Sequence, residues 1–273
     1  DALFDLLRQG VIEPIEPVNT KLELRQVNSI QSLNAWLQVT DRCNLRCGYC
    51  YIKQSPRELS LATGKAIIDA LIRTAQAHSI SSIKLKYAGG EPLLRFTLVK
   101  QLQTYAQKRA SDAQIKLQGV LLSNGLLLTK SVIEQIRKLD LLLMLSLDEL
   151  NNGYSVRLLP SMQNSTQTVR AAMELALKHQ VIPSVSITIT RSTLPHLSEL
   201  TGWLSEKHVP FSLNFYRQPR KSQVSDPLAL DESAAPDIFK TYQILLERHP
   251  ENSLLNGILD RTNLAQAHEY ACG

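Results

Sequence analysis

Apolar and polar residues follow two alternating periods from residue 35 onward. Runs of six to eight residues are apolar or alternate with a period of two, as β-strands do, and cover residues 35–40, 82–88, 115–122, 141–147, 185–190 and 211–216. Between them, apolar residues recur three and four apart, which predicts amphipathic helices over residues 61–77, 96–109, 131–138, 168–179 and 197–207. The pattern therefore predicts strands and helices in strict alternation.

This alternation predicts an α/β protein with parallel strands and right-handed crossovers. A doubly wound sheet and a partial barrel both fit it. Residues 217–235 are rich in Pro, Ser, Asp and basic residues and are predicted to be a long loop, followed by a helix over residues 236–247. We expect three parts: an N-terminal extension (1–30), with a short helix at 2–7 and a strand at 22–27, a central domain (31–220), and a C-terminal linker and helix (221–273).

The composition is that of a globular protein without a membrane span. The chain has 273 residues, of which 44% are hydrophobic and 20% charged, and no apolar run reaches the length of about 18 residues that a span needs. The net charge is +5, but the basic residues are scattered apart from Arg217, Arg220 and Lys221, and only 5% of residues are aromatic. We therefore expect neither a nucleic-acid nor a membrane partner.

Three of the four cysteines, Cys43, Cys47 and Cys50, lie within eight residues at the spacing C-x3-C-x2-C. Clustered thiols favour a metal site in a reducing compartment, and hence a cytoplasmic protein. Zinc needs a fourth ligand, which would be the remote Cys272 or His78. An iron–sulfur cluster on three thiolates would leave one iron open to a substrate. Three unligated thiols are the remaining alternative.

Polar motifs follow three of the later predicted strands. Gly89-Gly90-Glu91-Pro92 follows the second, Ser123-Asn124-Gly125 ends the third, and Ser146 shares one strand face with Asp148 at the end of the fourth. Glycines permit close approach of a ligand, and a carboxylate pairs with an ammonium group, although ordinary turns have the same composition. Carboxyl ends of strands hold the active sites of α/β barrels, so this placement favours the partial barrel.

The run Cys-Asn-Leu-Arg-Cys-Gly-Tyr-Cys-Tyr, with the Gly-Gly-Glu-Pro and Ser-Leu-Asp motifs, resembles the radical S-adenosylmethionine (SAM) superfamily over residues 35–216. The resemblance implies a partial (βα)6 TIM-like barrel and a 4Fe–4S cluster on Cys43, Cys47 and Cys50, whose open iron binds SAM. It places the ring of Tyr49 beside the adenine, and it places Arg170 where some relatives hold the SAM carboxylate. The implied SAM contacts are Tyr49, Gly89, Gly90, Glu91, Ser123, Asn124, Ser146 and Arg170.

The resemblance also implies a mechanism. An electron donor such as ferredoxin or flavodoxin reduces the cluster, SAM breaks into methionine and a 5′-deoxyadenosyl radical, and the radical abstracts hydrogen from the substrate. The chemistry belongs to the cofactors, and no side chain is assigned a catalytic role.

The motifs look most like the branch that modifies peptides and proteins, which includes sulfatase-maturing enzymes and maturases of ribosomally made peptides. Those enzymes usually continue into a cysteine-rich SPASM-type domain that opens with Cys-Gly, so the ending Cys272-Gly273 is interpreted as a cut at the start of such a domain. Glu149 stands where the family has glycine, and residues 151–157 lack the family's His-Asp pair, which leaves the substrate open. The alternatives are a molybdopterin-type enzyme of cofactor biosynthesis and a non-catalytic iron–sulfur or zinc module.

Overall fold

The computed structural model describes residues 32–151, 156–216 and 226–247. Its strands are β1 (Ser32–Thr40), β2 (Arg46–Cys47), β3 (Ser82–Gly89), β4 (Lys116–Ser123), β5 (Leu141–Ser146), β6 (Arg157–Leu158), β7 (Ser184–Ile189) and β8 (Phe211–Phe215). Its helices are α1 (Leu61–Ala77), α2 (Phe96–Asp112), α3 (Lys130–Lys138), α4 (Thr166–Lys178), α5 (Leu197–Glu206) and α6 (Ala235–Glu247). Short 3₁₀ turns cover Pro92–Arg95, Leu194–His196 and Glu232–Ala234.

Six of the strands form one parallel sheet in the order β1-β3-β4-β5-β7-β8. Neighbours in this sheet are also consecutive along the chain, and a helix lies in each connection. The sheet curls into a half-barrel, so the predicted partial (βα)6 barrel is confirmed. All the strands point the same way, and their carboxyl ends therefore meet at one edge.

The two faces of the sheet differ in composition because side chains alternate along each strand. The helix-covered face is apolar and buried, and it includes Leu37, Val39, Leu85, Tyr87, Leu121, Leu143, Leu145, Val185 and Ile187. The residues between them, on what we call the open face, are mostly less buried and include Trp36, Lys84, Lys86, Met144, Ser186 and Asn214. Removal of the apolar face from water, at roughly 25 cal/mol per Å², stabilises the layered arrangement.

The predicted elements match the observed ones within three residues at each end. The observed start of α1 agrees with the predicted one because the residue before it, Ser60, is a helix cap: its side chain accepts a hydrogen bond from Thr63 N (3.0 Å). The sequence did not predict β2 and β6, a two-residue antiparallel pair, because two residues carry no readable period.

Several predictions lie outside the described residues: the extension 1–30, the basic cluster at Arg217, Arg220 and Lys221, and Cys272. Of the predicted loop 217–235, residues 226–231 are described and are loop, and α6 begins at Ala235. Ala234 and Leu245 belong to the same hydrophobic core as the barrel. Within the described ranges, no helix has the length and apolar character needed to cross a membrane.

Candidate active site at the carboxyl ends of the strands

The three clustered cysteines lie on the loop that connects β1 to α1. Cys43 and Cys47 are half-buried, Cys50 is exposed, and all three are free thiols. The fully buried Leu45 anchors the loop in the core. The buried carboxylate of Asp41 accepts hydrogen bonds from Ser55 Oγ (2.7 Å) and from the Gln38 amide, which hold the pKa of Asp41 below its usual value.

The Gly-Gly-Glu motif after β3 packs directly against this loop. Gly90 N donates to Thr40 O (2.7 Å) and Glu91 N donates to Arg42 O (2.9 Å). A Cβ on Gly90 would lie 2.2 Å from Arg42 O, and one on Gly89 would lie 2.3 Å from Thr40 O. Gly89 also has a φ of +138°, which side chains rarely adopt. These glycines, predicted to admit a ligand, are required here by the approach of two backbone segments.

Glu91 is fully buried and connects the ends of β3 and β4. Its Oε1 accepts from Leu93 N (2.9 Å) and Ser123 Oγ (2.9 Å), and its Oε2 accepts from Asn124 N (2.7 Å). Burial raises the pKa of Glu91, and these hydrogen bonds oppose the rise. Two carboxylate oxygens offer about four acceptor sites, so one remains on Oε2 beyond these three donors.

Asn124 brings the end of β4 to the cysteine loop. Its Nδ2 donates to Asn44 Oδ1 (2.7 Å) and lies 3.8 Å from Cys43 Sγ. Its Oδ1 accepts from Leu126 N (3.0 Å). Ser123 is buried, and its Oγ accepts from Gly125 N (3.0 Å) while donating to Glu91. The predicted residues of this corner are thus together, and they hold one another as well as the loop.

Ser146 and Arg170 keep hydrogen-bonding capacity that the described residues do not use. Ser146 ends β5 opposite Ser186 of β7, and its hydroxyl makes no hydrogen bond to the described part of the chain. Arg170 Nη1 donates to Leu150 O (3.0 Å), and its guanidinium lies 5.3 Å from the ring of Trp203. The buried Nε of Arg170 has no hydrogen-bond partner among those residues.

Two carboxylates follow β5 and have different surroundings. Glu149, which replaces the family's glycine, is buried and accepts from Asn164 Nδ2 (2.9 Å) and Thr166 Oγ1 (3.3 Å) at the start of α4. Asp148 is buried at the edge beside the cysteine loop, where its Oδ1 accepts from Thr188 N (2.8 Å). Burial raises the pKa of Asp148, and the charge of Arg157 opposes the rise.

Tyr49 joins this carboxylate to a residue that the sequence did not single out. The Tyr49 hydroxyl donates to Asp148 Oδ2 (2.5 Å) and accepts from Arg157 Nη1 (2.6 Å). Arg157 lies on β6, which pairs with β2, and Gly48 N donates to Val156 O (2.9 Å). The only sequence signal for this role is an arginine inside the short apolar run Val-Arg-Leu-Leu.

The donor set suits an iron–sulfur cluster in its chemistry. Burial raises the pKa of the Cys43 thiol and raises that of Cys47 to about 11; metal binding requires the thiolates, so loading releases protons. Within the described ranges, no three His, Cys, Asp or Glu side chains are arranged to hold a metal ion. In a cluster, each thiolate binds its own iron, so the sulfurs surround the cluster rather than meet at one point.

A family model described as the radical SAM superfamily matches residues 37–196, which contain the cysteine loop and all the strand-end motifs. The chain belongs to the radical SAM superfamily. This superfamily consists of enzymes that use a 4Fe–4S cluster and SAM, and Cys43, Cys47 and Cys50 are the residues that fit the cluster. Family membership favours an enzyme over the non-catalytic iron–sulfur or zinc module.

Three curated proteins are similar to this chain in sequence. The chain is 28% identical over 191 residues to uncharacterized protein MJ0907 of Methanocaldococcus jannaschii, covering 68% of this chain and 63% of that protein. It is 25% identical over 221 residues to Fe-coproporphyrin III synthase of Methanosarcina barkeri, covering 77% and 50%. It is 37% identical over 92 residues to GTP 3′,8-cyclase of Desulforamulus reducens, covering 31% and 26%. The chain thus spans less than two thirds of the length of these relatives.

Among solved structures, anSMEcpe with bound AdoMet and Cp18Cys peptide superposes with a TM-score of 0.71 at 18% identity. The match covers 86% of this chain and 67% of that one. At this identity the likeness establishes the common radical SAM barrel and leaves the substrate of this chain undetermined.

Proposed function

We propose that this chain binds a 4Fe–4S cluster through Cys43, Cys47 and Cys50, binds SAM beside it, and modifies a peptide or protein by hydrogen abstraction. When bound, the reduced cluster and SAM supply the adenosyl radical. A ferredoxin or flavodoxin is the expected electron donor.

One observation carries the proposal: hydrogen bonds connect the cysteine loop to the ends of the neighbouring strands. Asn124 contacts Asn44 and Cys43, while Glu91 N donates to Arg42 O. A site assembled from several strand ends, rather than from one loop, is what a barrel enzyme needs to hold two cofactors and a substrate together.

The side chains of this edge divide into those that hold the loop and those free to contact SAM. Glu91 and Ser123 hold the loop through hydrogen bonds within the chain. Ser146 and Arg170 retain donors for the polar groups of SAM, and a guanidinium matches a carboxylate in geometry. Tyr49 offers an aromatic ring on which an adenine base can stack.

The peptide substrate is supported by the barrel likeness to anSMEcpe, whose structure contains AdoMet and the Cp18Cys peptide. A second candidate, a small anionic substrate as in cofactor biosynthesis, is favoured by a different observation. Lys84 and Lys86 lie on the open face of β3, where Lys86 Nζ is 4.7 Å from the centre of the Trp36 ring. The sequence match to GTP 3′,8-cyclase points the same way.

The proposed SAM cleavage is tested on protein loaded with iron and sulfide under strict anaerobiosis, then given dithionite and SAM. We expect 5′-deoxyadenosine and methionine by mass spectrometry. Each of the variants Cys43→Ala, Cys47→Ala and Cys50→Ala should abolish the product. Cys272→Ala is the matched control and should retain it. A fully loaded wild-type protein that makes no 5′-deoxyadenosine would overturn the proposal.

The substrate class is tested by the effect of added compounds on SAM cleavage. We expect GTP at millimolar concentration to leave the 5′-deoxyadenosine yield unchanged, and cysteine- or serine-containing peptides to raise it. A GTP-dependent increase that Lys84→Gln removes would instead favour the second candidate.

A further inference from the structure

A buried polar network connects the cysteine loop to the segment between β5 and α4. It consists of Tyr49, Asp148 and Arg157, with Thr188 N as a further donor to Asp148 (2.8 Å). The side chains of Asp148 and Arg157 are only 0% and 8% exposed. The Tyr49 hydroxyl donates to Asp148 (2.5 Å) and accepts from Arg157 (2.6 Å), so both of its hydrogen bonds are made within the protein.

The network fixes the direction of the tyrosine ring. Tyr49 stands between Cys47 and Cys50 in the sequence, and its hydroxyl is held by groups that follow β5 and that lie on β6. The backbone beside it is held as well, because β2 pairs with β6 and Gly48 N donates to Val156 O (2.9 Å). Rotating the ring would break both hydrogen bonds between its hydroxyl and these buried charged groups, which is unfavourable.

We propose that Asp148 and Arg157 are positioning residues that hold the Tyr49 ring as the stacking surface for the adenine of SAM. This inference rests on the proposed function and adds two residues to it. Neither residue needs to touch SAM: both act through the tyrosine hydroxyl. The contribution of stacking depends on the orientation of the ring, which the hydrogen bonds of its hydroxyl to the two charged partners restrict.

The chain contains a matched control. Tyr105 Oη lies 2.9 Å from both carboxylate oxygens of Asp69, and Arg109 Nε lies 2.7 Å from Asp69 Oδ1. The same three residue types therefore meet between α1 and α2, away from the cysteine loop. A substitution there tests the loss of a similar tyrosine hydrogen bond without disturbing the proposed site.

The test compares Tyr49→Phe with Tyr105→Phe in cluster-loaded protein. We expect Tyr49→Phe to weaken SAM binding about tenfold, roughly the value of one base–aromatic stacking contact, because the ring loses the hydrogen bonds that orient it. Its iron content should equal that of the wild type, since all three cysteines remain. In turnover, KM for SAM should rise while kcat changes less. Tyr105→Phe should bind SAM like the wild type.

A double-variant cycle tests whether Asp148 acts through Tyr49. Asp148→Asn should weaken SAM binding. Adding Tyr49→Phe should weaken it little further, because both substitutions disrupt the same contact between Tyr49 and Asp148. If Asp148→Asn cannot be measured because it unfolds, Tyr49→Phe alone decides. Unchanged SAM affinity in Tyr49→Phe, or iron loss in parallel with SAM loss, overturns the inference. A wild type that binds no SAM overturns the proposed function, and the inference with it.

Discussion

Two regions of this barrel contain an aspartate, a tyrosine and an arginine in contact, and they differ mainly in burial. Between α1 and α2, Asp69 and Arg109 form a 2.7 Å ion pair with side chains 27% and 37% exposed. At the strand ends, Asp148 and Arg157 are 3.9 Å apart and almost fully buried, with the Tyr49 hydroxyl between them. The same residue types thus form a solvated contact in one place and a desolvated network in the other.

Burial reverses the effect on the carboxylates. Hydrogen bonds from Arg109 and Tyr105 hold the pKa of Asp69 below its usual value. Burial raises the pKa of Asp148 even though Arg157 opposes the rise. Substituting one residue should therefore lower the free energy of unfolding little in the solvated cluster and strongly in the buried one. A buried network of this kind suits a part of the protein that has to hold a loop in one geometry.

The largest difference should follow removal of one charge from each cluster. Asp148→Asn removes a buried negative charge 3.9 Å from the buried Arg157, and we expect a loss of about 3–5 kcal/mol in the free energy of unfolding. Asp69→Asn should cost much less, because water solvates Arg109. Urea unfolding of both variants at neutral pH measures the difference. The double variant Asp148→Asn/Arg157→Met should regain most of the loss; equal losses in the two aspartate variants would contradict the comparison.

Each region also contains a glycine, and replacing each by alanine should give a second, smaller difference in stability. Gly90→Ala would place Cβ 2.2 Å from the backbone oxygen of Arg42, and we expect a loss of about 1–3 kcal/mol together with reduced iron loading. Gly64→Ala in α1 meets Leu102 Cδ2 at 2.6 Å, the end of a side chain. Its higher helix propensity offsets part of that contact.

Unfolding midpoints and iron content of the two glycine variants check this prediction. Gly64→Ala should keep the iron content of the wild type. An iron content reduced equally in both variants would show that loading follows overall stability rather than the contact of Gly90 with the cysteine loop.

The sequence was sufficient to predict the strands and helices because periodicity is a local signal, whereas the choice of a barrel over a doubly wound sheet needed the strand-end motifs and the family resemblance. Six strands and six helices in the described ranges follow from periods of two and 3.6, and the strand ends locate the site. The predicted and observed boundaries differ by up to three residues; for example, β1 begins at Ser32 rather than Ala35. The paired β2 and β6 lacked a local signal and were missed.

The contacts inside the site could not be predicted because they join distant residues. Tyr49 meets Asp148 and Arg157 across separations of 99 and 108 residues. Glu91 was assigned a SAM contact by resemblance, whereas the structure gives it three donors from within the chain. Its contact with SAM, like that of the other residues assigned by resemblance, remains a prediction.

The solvated cluster should also show a pH dependence. Because the pKa of Asp69 is lowered in the folded protein, its contribution is fully present above the unfolded value of about 3.9 and is lost as pH falls through the folded value. The stability difference between wild type and Asp69→Asn should therefore be present at neutral pH and shrink as the pH falls below about 3.9. Urea midpoints across that range measure it; a constant difference would show that the charge of Asp69 contributes nothing.

The smallest effect, and the most direct probe of solvation, is that of salt. The Debye length falls from about 10 Å at 0.1 M to about 3 Å at 1 M, which screens exposed pairs far more than buried ones. The stability difference between wild type and Arg109→Gln should shrink over this range. That between wild type and Arg157→Gln should hardly change, since water and ions do not reach the pair. If both differences shrink equally, the Tyr49 network is hydrated in solution, and its partners then cannot fix the ring as firmly as proposed.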